Sequence, residues 1–290
     1  MTMLRIGLVQ HSCTMDVGEN LEKDLRGIRK AAGQGARLVV LSELHANPYF
    51  CQEENPDWFE LAEPITGETS KRLASLAREL HVVIVSSLFE RRGSGIYHNT
   101  AVVFEQDGTI AGKYRKMHLP NDPGYYEKFY FTPGDSGFNP VQTSVGTLGI
   151  MVCWDQWFPE AARLMALSGA DLFICPTAIG WDDTDNQEEQ RREIEAWKIC
   201  QRAHAVANCV PLLCVNRTGF EAQPKGKGGI QFWGSSFAVG PQGEYLVCAA
   251  ADREQVLLTD IDMQAKERVR AIWPFFRDRR VDFYEGLLRR

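Results

Sequence analysis

Gly149-Ile-Met-Val-Cys153-Trp-Asp-Gln-Trp-Phe-Pro-Glu160 joins an apolar run to a proline-started amphipathic stretch, and its reading decides the fold. A strand from Leu148 to Trp154 followed by a helix from about Pro159 to Leu167 is the strand-to-helix connection of α/β proteins. Downstream the alternation continues through strand Leu172 to Pro176, a long helix from about Gln187 to Ala207, and strand Val210 to Asn216. A hairpin of Ser235 to Val239 and Glu244 to Cys248 around Pro241-Gln242-Gly243 follows, then strand Gln255 to Ile261 and a basic tail.

Upstream the same order is found. Strand Leu4 to Gln10 leads into a helix that carries Leu21, Leu25, Ile28 and Ala32 on one face and stops at Gly33 and Gly35. Strand Leu38 to Glu43, a helix from about Thr69 to Leu80 and strand Val82 to Leu88 come next. A hairpin of Asn99 to Phe104 and Thr109 to Tyr114 around Asp107-Gly108 ends this half. The pattern predicts two similar β-α-β-α-β-hairpin halves within a single domain of residues 1–290. Two mixed sheets packed face to face, with helices outside both, bury every apolar strand in a four-layer α-β-β-α sandwich; a three-layer doubly wound sheet is the competing arrangement. Either way, the loops at the carboxyl ends of parallel strands are where a site belongs.

Composition narrows the function. The 290 residues carry a net charge of -6 with basic residues scattered along the chain, which argues against nucleic acid as a partner. No apolar stretch reaches the roughly 20 residues that span a bilayer, so no membrane association is expected. The N-terminus enters the alternating Leu4, Ile6, Leu8 without a signal-peptide core, which makes a cytoplasmic location the expectation. The eight cysteines include no C-x-x-C pair and no Cys/His cluster at zinc-ligand spacing, so no metal is expected and most thiols read as small packed hydrophobes.

Three residues interrupt these patterns chemically. Cys153 sits where strand gives way to helix, either as a buried thiol or as a nucleophile beside free amide groups able to hold an oxyanion. Glu43 closes the apolar strand Leu38-Val-Val-Leu-Ser-Glu43, either solvated or as the base a thiol of pKa about 8.5 needs. Lys116, in Arg115-Lys-Met-His-Leu-Pro120, is either a surface lysine in a basic run or the nearby cation that favours a thiolate. His118 in the same run invites a Cys-His dyad, but a histidine flanked by Met117 and Leu119 reads more simply as a hydrogen-bonded structural residue.

Together Leu41-Ser-Glu43, Arg115-Lys-Met-His-Leu-Pro120 and Val152-Cys-Trp-Asp-Gln-Trp-Phe-Pro-Glu160 resemble the three ordered motifs of the nitrilase-related carbon-nitrogen hydrolases, over essentially the whole chain. The resemblance implies a Glu43, Lys116, Cys153 triad of general base, electrostatic stabiliser and nucleophile, on the four-layer fold and without a cofactor. Glu127, in Gly124-Tyr-Tyr-Glu127, matches a further active-site glutamate of the family, against the alternative of a loop acid that pairs with a lysine. The resemblance also implies a homo-oligomer, dimer or higher, with the aromatic and arginine-rich residues 273–290 as a tail at a subunit interface or packed on the surface.

For the substrate, family members that bind a carboxylate commonly carry an arginine shortly after the cysteine, where this chain has Gln156-Trp157. The loop Ala178-Ile-Gly-Trp181-Asp-Asp-Thr-Asp185 instead sets Asp182 and Asp183 beside Trp181, a combination able to hold an alkylammonium, with Trp154 and Tyr49 as further walls. A cationic ureide is the expected small-molecule substrate, with another carbamoyl or ω-amide hydrolysis as the alternative. The same acids are also what the N-terminus of the following helix favours. A catalytically silent scaffold is the reading outside enzymes.

Overall fold

The computed structural model describes residues 3–182, 186–226 and 228–289. In chain order the first half contains β1 (Met3–Gln10), α1 (Val17–Gly33), β2 (Leu38–Val40), α2 (Glu68–Leu80), β3 (Val83–Gly93), β4 (Ile96–Phe104), β5 (Ile110–Arg115) and the short α3 (Glu127–Tyr130). The second contains β6 (Val141–Thr143), β7 (Gly146–Ile150), α4 (Pro159–Leu167), β8 (Leu172–Thr177), β9 (Gly180–Asp182), α5 (Gln187–Asn208), β10 (Leu212–Asn216), β11 (Thr218–Ala222), β12 (Gly229–Trp233), β13 (Phe237–Val239), β14 (Tyr245–Cys248), β15 (Gln255–Asp262) and α6 (Ala265–Ile272).

The two large sheets have the orders β15-β1-β2-β3-β4-β5 and β6-β7-β8-β10-β13-β14. In each, three parallel strands (β1, β2, β3 and β7, β8, β10) are followed by two antiparallel ones, and a further antiparallel strand borders the first. The two halves therefore share one topology. One hydrophobic core joins the facing sides of the sheets, with Leu8 and Val40 from one and Ile150 and Ile174 from the other. Helices cover the outer faces: Leu21, Ile28, Leu73 and Leu76 of α1 and α2 pack on Val39, Ile84 and Val102, whereas Met165 and Trp197 bring α4 and α5 onto the second sheet. This is the four-layer α-β-β-α sandwich, and the three-layer alternative is excluded.

Two boundaries differ from the pattern in ways that matter for the site. β2 ends at Val40, three residues before Glu43, because the chain leaves the first sheet: Leu41 N still donates to Val85 O (3.0 Å), but Glu43 N donates to Thr177 O (3.3 Å) at the end of β8 in the other sheet. β7 likewise ends at Ile150, and Cys153–Trp157 form a 3-10 turn instead of continuing the strand. A third, three-stranded sheet, β11-β12-β9, goes beyond the sequence pattern, where the glycine- and lysine-rich connection between β11 and β12 hides the hairpin.

In the tail, the Phe276 ring lies under the guanidinium groups of Arg163 (5.0 Å) and Arg270 (4.6 Å), which fastens the start of the segment to the body. Beyond it Val281, Phe283, Leu287 and Leu288 are exposed.

Candidate active site

Cys153 opens the 3-10 turn with φ at 44°, in the left-handed region that costs a non-glycine residue roughly 1–2 kcal/mol. That kink turns the chain out of the sheet and puts the thiol on the wall of a cleft of about 580 Å³. Asp155 holds the turn in place. Its Oδ2 accepts from Val152 N (3.0 Å) and from the Tyr114 hydroxyl (2.9 Å), and its Oδ1 accepts from His118 N (3.0 Å) with His118 Nδ1 at 2.7 Å. One buried carboxylate thus ties the cysteine turn to the segment that carries Lys116. The His118 ring is stacked on Phe158 at 3.7 Å; it is a structural residue.

Lys116 is fully buried between two carboxylates. Its Nζ donates to Glu43 Oε1 (2.7 Å) and to both oxygens of Glu127 (2.8 and 2.7 Å). Burial disfavours the ammonium, but Glu127 and Glu43 outweigh that effect and raise its pKa well above the ordinary value, so the lysine is a fixed cation. Burial raises the pKa of Glu127 from 4.5 to about 7, with Lys116 pulling down and Glu43 pushing up. Tyr49 supports Glu127 by donating its hydroxyl to Oε1 (2.9 Å).

The Cys153 thiol feels all three groups. Burial and then Glu43 raise its pKa well above the ordinary value, against the opposing pull of Lys116. A resting thiol, with its proton on sulfur, follows. Glu43 Oε1 is occupied by Lys116 and by Asn99 Nδ2 (2.7 Å), whereas its buried Oε2 makes no hydrogen bond among the described residues. The Glu43 backbone is fixed by Arg217, a fully buried guanidinium that donates to the carbonyls of Glu43 (2.8 Å), Leu44 (3.1 Å) and Asn47 (3.1 Å).

Of the residues read from sequence as substrate walls, Trp154 lines the cleft together with Trp157, Tyr125 and Trp233. Tyr49 does not serve as a wall: at 1% exposure it is interior, held by Glu127 and packed on Phe232. Trp181 also has a structural role, since its indole N–H donates to Gln190 O (2.9 Å) and joins β9 to α5. Asp183 and Asp185 lie outside the described residues, and of Asp182 only the backbone, paired with Ile230, is described. The acids on the described wall are Asp122 and Glu193, with no basic residue among their lining neighbours Pro120, Tyr125, Trp154, Trp157 and Trp233. Gln156, where carboxylate-binding members of the family carry an arginine, faces inward, and its Oε1 accepts from Trp197 Nε1 (2.8 Å). Sequence reasoning missed Asn99, Asp155 and Arg217. A signal existed for Asn99, since His98-Asn99-Thr100 breaks an otherwise apolar strand with three buried polar residues.

The carbon-nitrogen hydrolase family matches residues 5–271, and the chain belongs to that family of enzymes. It is 44% identical to an N-carbamoylputrescine amidase of Oryza sativa subsp. japonica, over 98% of this chain and 94% of that protein. It is 36% identical to a citrullinase of Francisella tularensis subsp. tularensis, over the full length of both. The crystal structure of a carbon-nitrogen hydrolase from Helicobacter pylori G27 superposes with a TM-score of 0.97 at 52% identity, covering 100% of this chain and 99% of that one. The family resemblance carried by the three motifs is thereby established, and a carbamoyl amidohydrolase is the activity class supported.

Proposed function

We propose that this enzyme hydrolyses N-carbamoylputrescine, or a closely similar cationic ureide, to the free amine, carbon dioxide and ammonia, with Cys153 as nucleophile. The observation that carries the reading is a buried ammonium bonded to two carboxylates, with the Cys153 thiol in their electrostatic field and on the wall of a cleft lined by aromatics and acids. As Cys153 Sγ attacks the carbamoyl carbon, its proton passes to Glu43, whose Oε2 makes no hydrogen bond among the described residues. The carbonyl π electrons move onto oxygen, where the Lys116 ammonium and the Trp154 amide stabilise the charge; that amide lies in the first turn of a helix and has no intrahelical partner. Collapse expels ammonia or the amine, which takes the proton from Glu43. Water, deprotonated by Glu43 with Glu127 alongside, then cleaves the thiocarbamate, freeing the thiol and a carbamate that decomposes to carbon dioxide and the remaining amine. Putrescine released in this way would feed polyamine synthesis.

The acids Asp122 and Glu193 and the rings of Trp154, Trp157 and Tyr125 suit an alkylammonium tail and oppose a carboxylate. The apolar residues exposed in the tail support a homo-oligomer in which 273–290 contact a neighbouring subunit. The purified enzyme, with Cys153→Ala as the inactive control, should release ammonia fastest from N-carbamoylputrescine when compared with citrulline, N-carbamoyl-β-alanine and simple nitriles. A preference for citrulline or N-carbamoyl-β-alanine overturns the substrate, and turnover by Cys153→Ala overturns the mechanism.

A further inference from the structure

Glu43 has two oxygens, and the structure treats them differently. Oε1 accepts two strong hydrogen bonds, from Lys116 Nζ (2.7 Å) and Asn99 Nδ2 (2.7 Å). Oε2 is buried and accepts none among the described residues. Lys116 alone does not impose this asymmetry, because an ammonium on a four-carbon stem can swing between the oxygens of a carboxylate. Asn99 sits on the rigid β4, paired across the sheet with Phe89 of β3, and its own carbonyl accepts from Lys116 N (2.9 Å). The same residue therefore holds the Lys116 backbone through its main chain and the Glu43 carboxylate through its side chain.

The orientation of the Asn99 amide is set by a directed chain of hydrogen bonds. Leu44 N donates to Ser87 Oγ (3.1 Å), and the Ser87 hydroxyl donates to Asn99 Oδ1 (3.1 Å). With Oδ1 facing a donor, only the NH₂ is left for Glu43. A flipped amide would set oxygen against carboxylate oxygen and leave Ser87 without its acceptor.

We propose that Asn99, oriented by Ser87, is a positioning residue that reserves one oxygen of Glu43 for the thiol proton and for the later water. The inference rests on Glu43 being the general base. Without Asn99 the carboxylate is free to turn about its terminal bond, and either oxygen is as readily the one held by Lys116. Substrate contacts in the cleft are untouched, so the loss falls on kcat.

The test uses two variants that occupy nearly the same volume. Asn99→Asp keeps the shape but sets a second carboxyl group against Glu43 in place of the amide donor, and Asn99→Leu keeps the bulk without polarity. Loss of a charge-assisted hydrogen bond in the reacting arrangement predicts a fall in kcat of about 10- to 100-fold in each, with KM within about twofold of wild type. Ser87→Ala is expected to lose less, about 3- to 10-fold, because the amide then samples both orientations. Ser87→Thr, which restores the hydroxyl, is expected to recover most of that loss. Circular dichroism and the unfolding midpoint establish that each variant is folded. Folded Asn99→Asp or Asn99→Leu with wild-type kcat, or a loss expressed in KM alone, overturns the proposal. Alkylation of Cys153 by iodoacetamide separates this failure from failure of the underlying assignment. If Glu43→Gln keeps both turnover and the wild-type alkylation rate, Glu43 is not the base. If Glu43→Gln loses both and Asn99→Leu loses neither, Glu43 is the base and Asn99 does not position it.

Discussion

Replacing Lys116 with methionine keeps the stem and removes the charge, and it tests the electrostatic core of the site without reference to any substrate. Two carboxylates, Glu43 and Glu127, would then face each other in the interior with no cation between them. Breaking a buried ion pair by deleting one partner costs about 3–5 kcal/mol, because the remaining charge is stranded away from water. The pH dependence of that cost is the sharper signature. In the wild type, Glu127 has a folded-state pKa of about 7 against 4.5 ordinarily, so between those values the folded protein keeps a proton that the unfolded chain has shed. Its stabilising contribution is complete below the unfolded pKa and falls by roughly 3 kcal/mol as the pH rises through the folded one. Lys116 stays charged across this window, since its pKa is raised, and adds nothing to the slope. In Lys116→Met the downward pull on Glu127 is gone while burial and Glu43 still push upward, so the loss of stability continues further into the alkaline range. Urea unfolding followed by tryptophan fluorescence at pH 5 and pH 8.5 should give a small penalty for the variant at the lower pH and one of about 3–5 kcal/mol at the higher. An equal penalty at both values, or none at either, refutes the ion-triad account.

Asp155→Ala removes the acceptor for Val152 N, Tyr114 Oη and two His118 nitrogens, and should cost roughly 2–4 kcal/mol in urea unfolding while lowering turnover. Asp155→Asn, which retains an acceptor, should recover part of both. Asp122→Asn and Glu193→Gln should each raise KM for a cationic ureide about 3- to 10-fold at low salt, with little change for an uncharged alkylurea. Steady-state rates on the paired substrates make the comparison, and equal effects on both would remove the acids from cation recognition.

The parts of this enzyme that are visible in its sequence are those with a local cause. Strands and helices follow from apolar periodicity, and Glu43, Lys116 and Cys153 stand out because each interrupts such a pattern with reactive chemistry. What the sequence conceals is held together by partners far away in the chain. Arg217 reaches back 174 positions to the Glu43 carbonyl, and nothing near Asn216-Arg217-Thr218 announces a buried cation. Asp155 is fully buried although it stands in a polar-looking turn, because its four hydrogen bonds come from segments 3 to 41 residues distant. Tyr49 and Trp181 illustrate the reverse error. An aromatic near a site is easily assigned to the ligand, but here each has a polar atom that finds a protein partner, Glu127 in one case and the Gln190 carbonyl in the other. The β11–β12 hairpin was missed because its exposed Phe220 and its glycine-rich turn obscure the alternation that would reveal a strand.

The shared topology of the halves gives the site its physical basis. Glu43 follows the second parallel strand of the first sheet and Cys153 follows the first parallel strand of the second, so the proposed base and nucleophile descend from opposite layers and share one site only because the sheets face each other. The bonds that fix Glu43 cross that divide: its amide donates to Thr177 of β8, and Arg217, just past β10, grips its carbonyl. A shift of one sheet against the other by a fraction of a side chain would therefore separate Glu43 from Cys153 before it exposed much apolar surface. Activity is the more sensitive measure of sandwich packing, and should fail ahead of the main unfolding transition under mild denaturant.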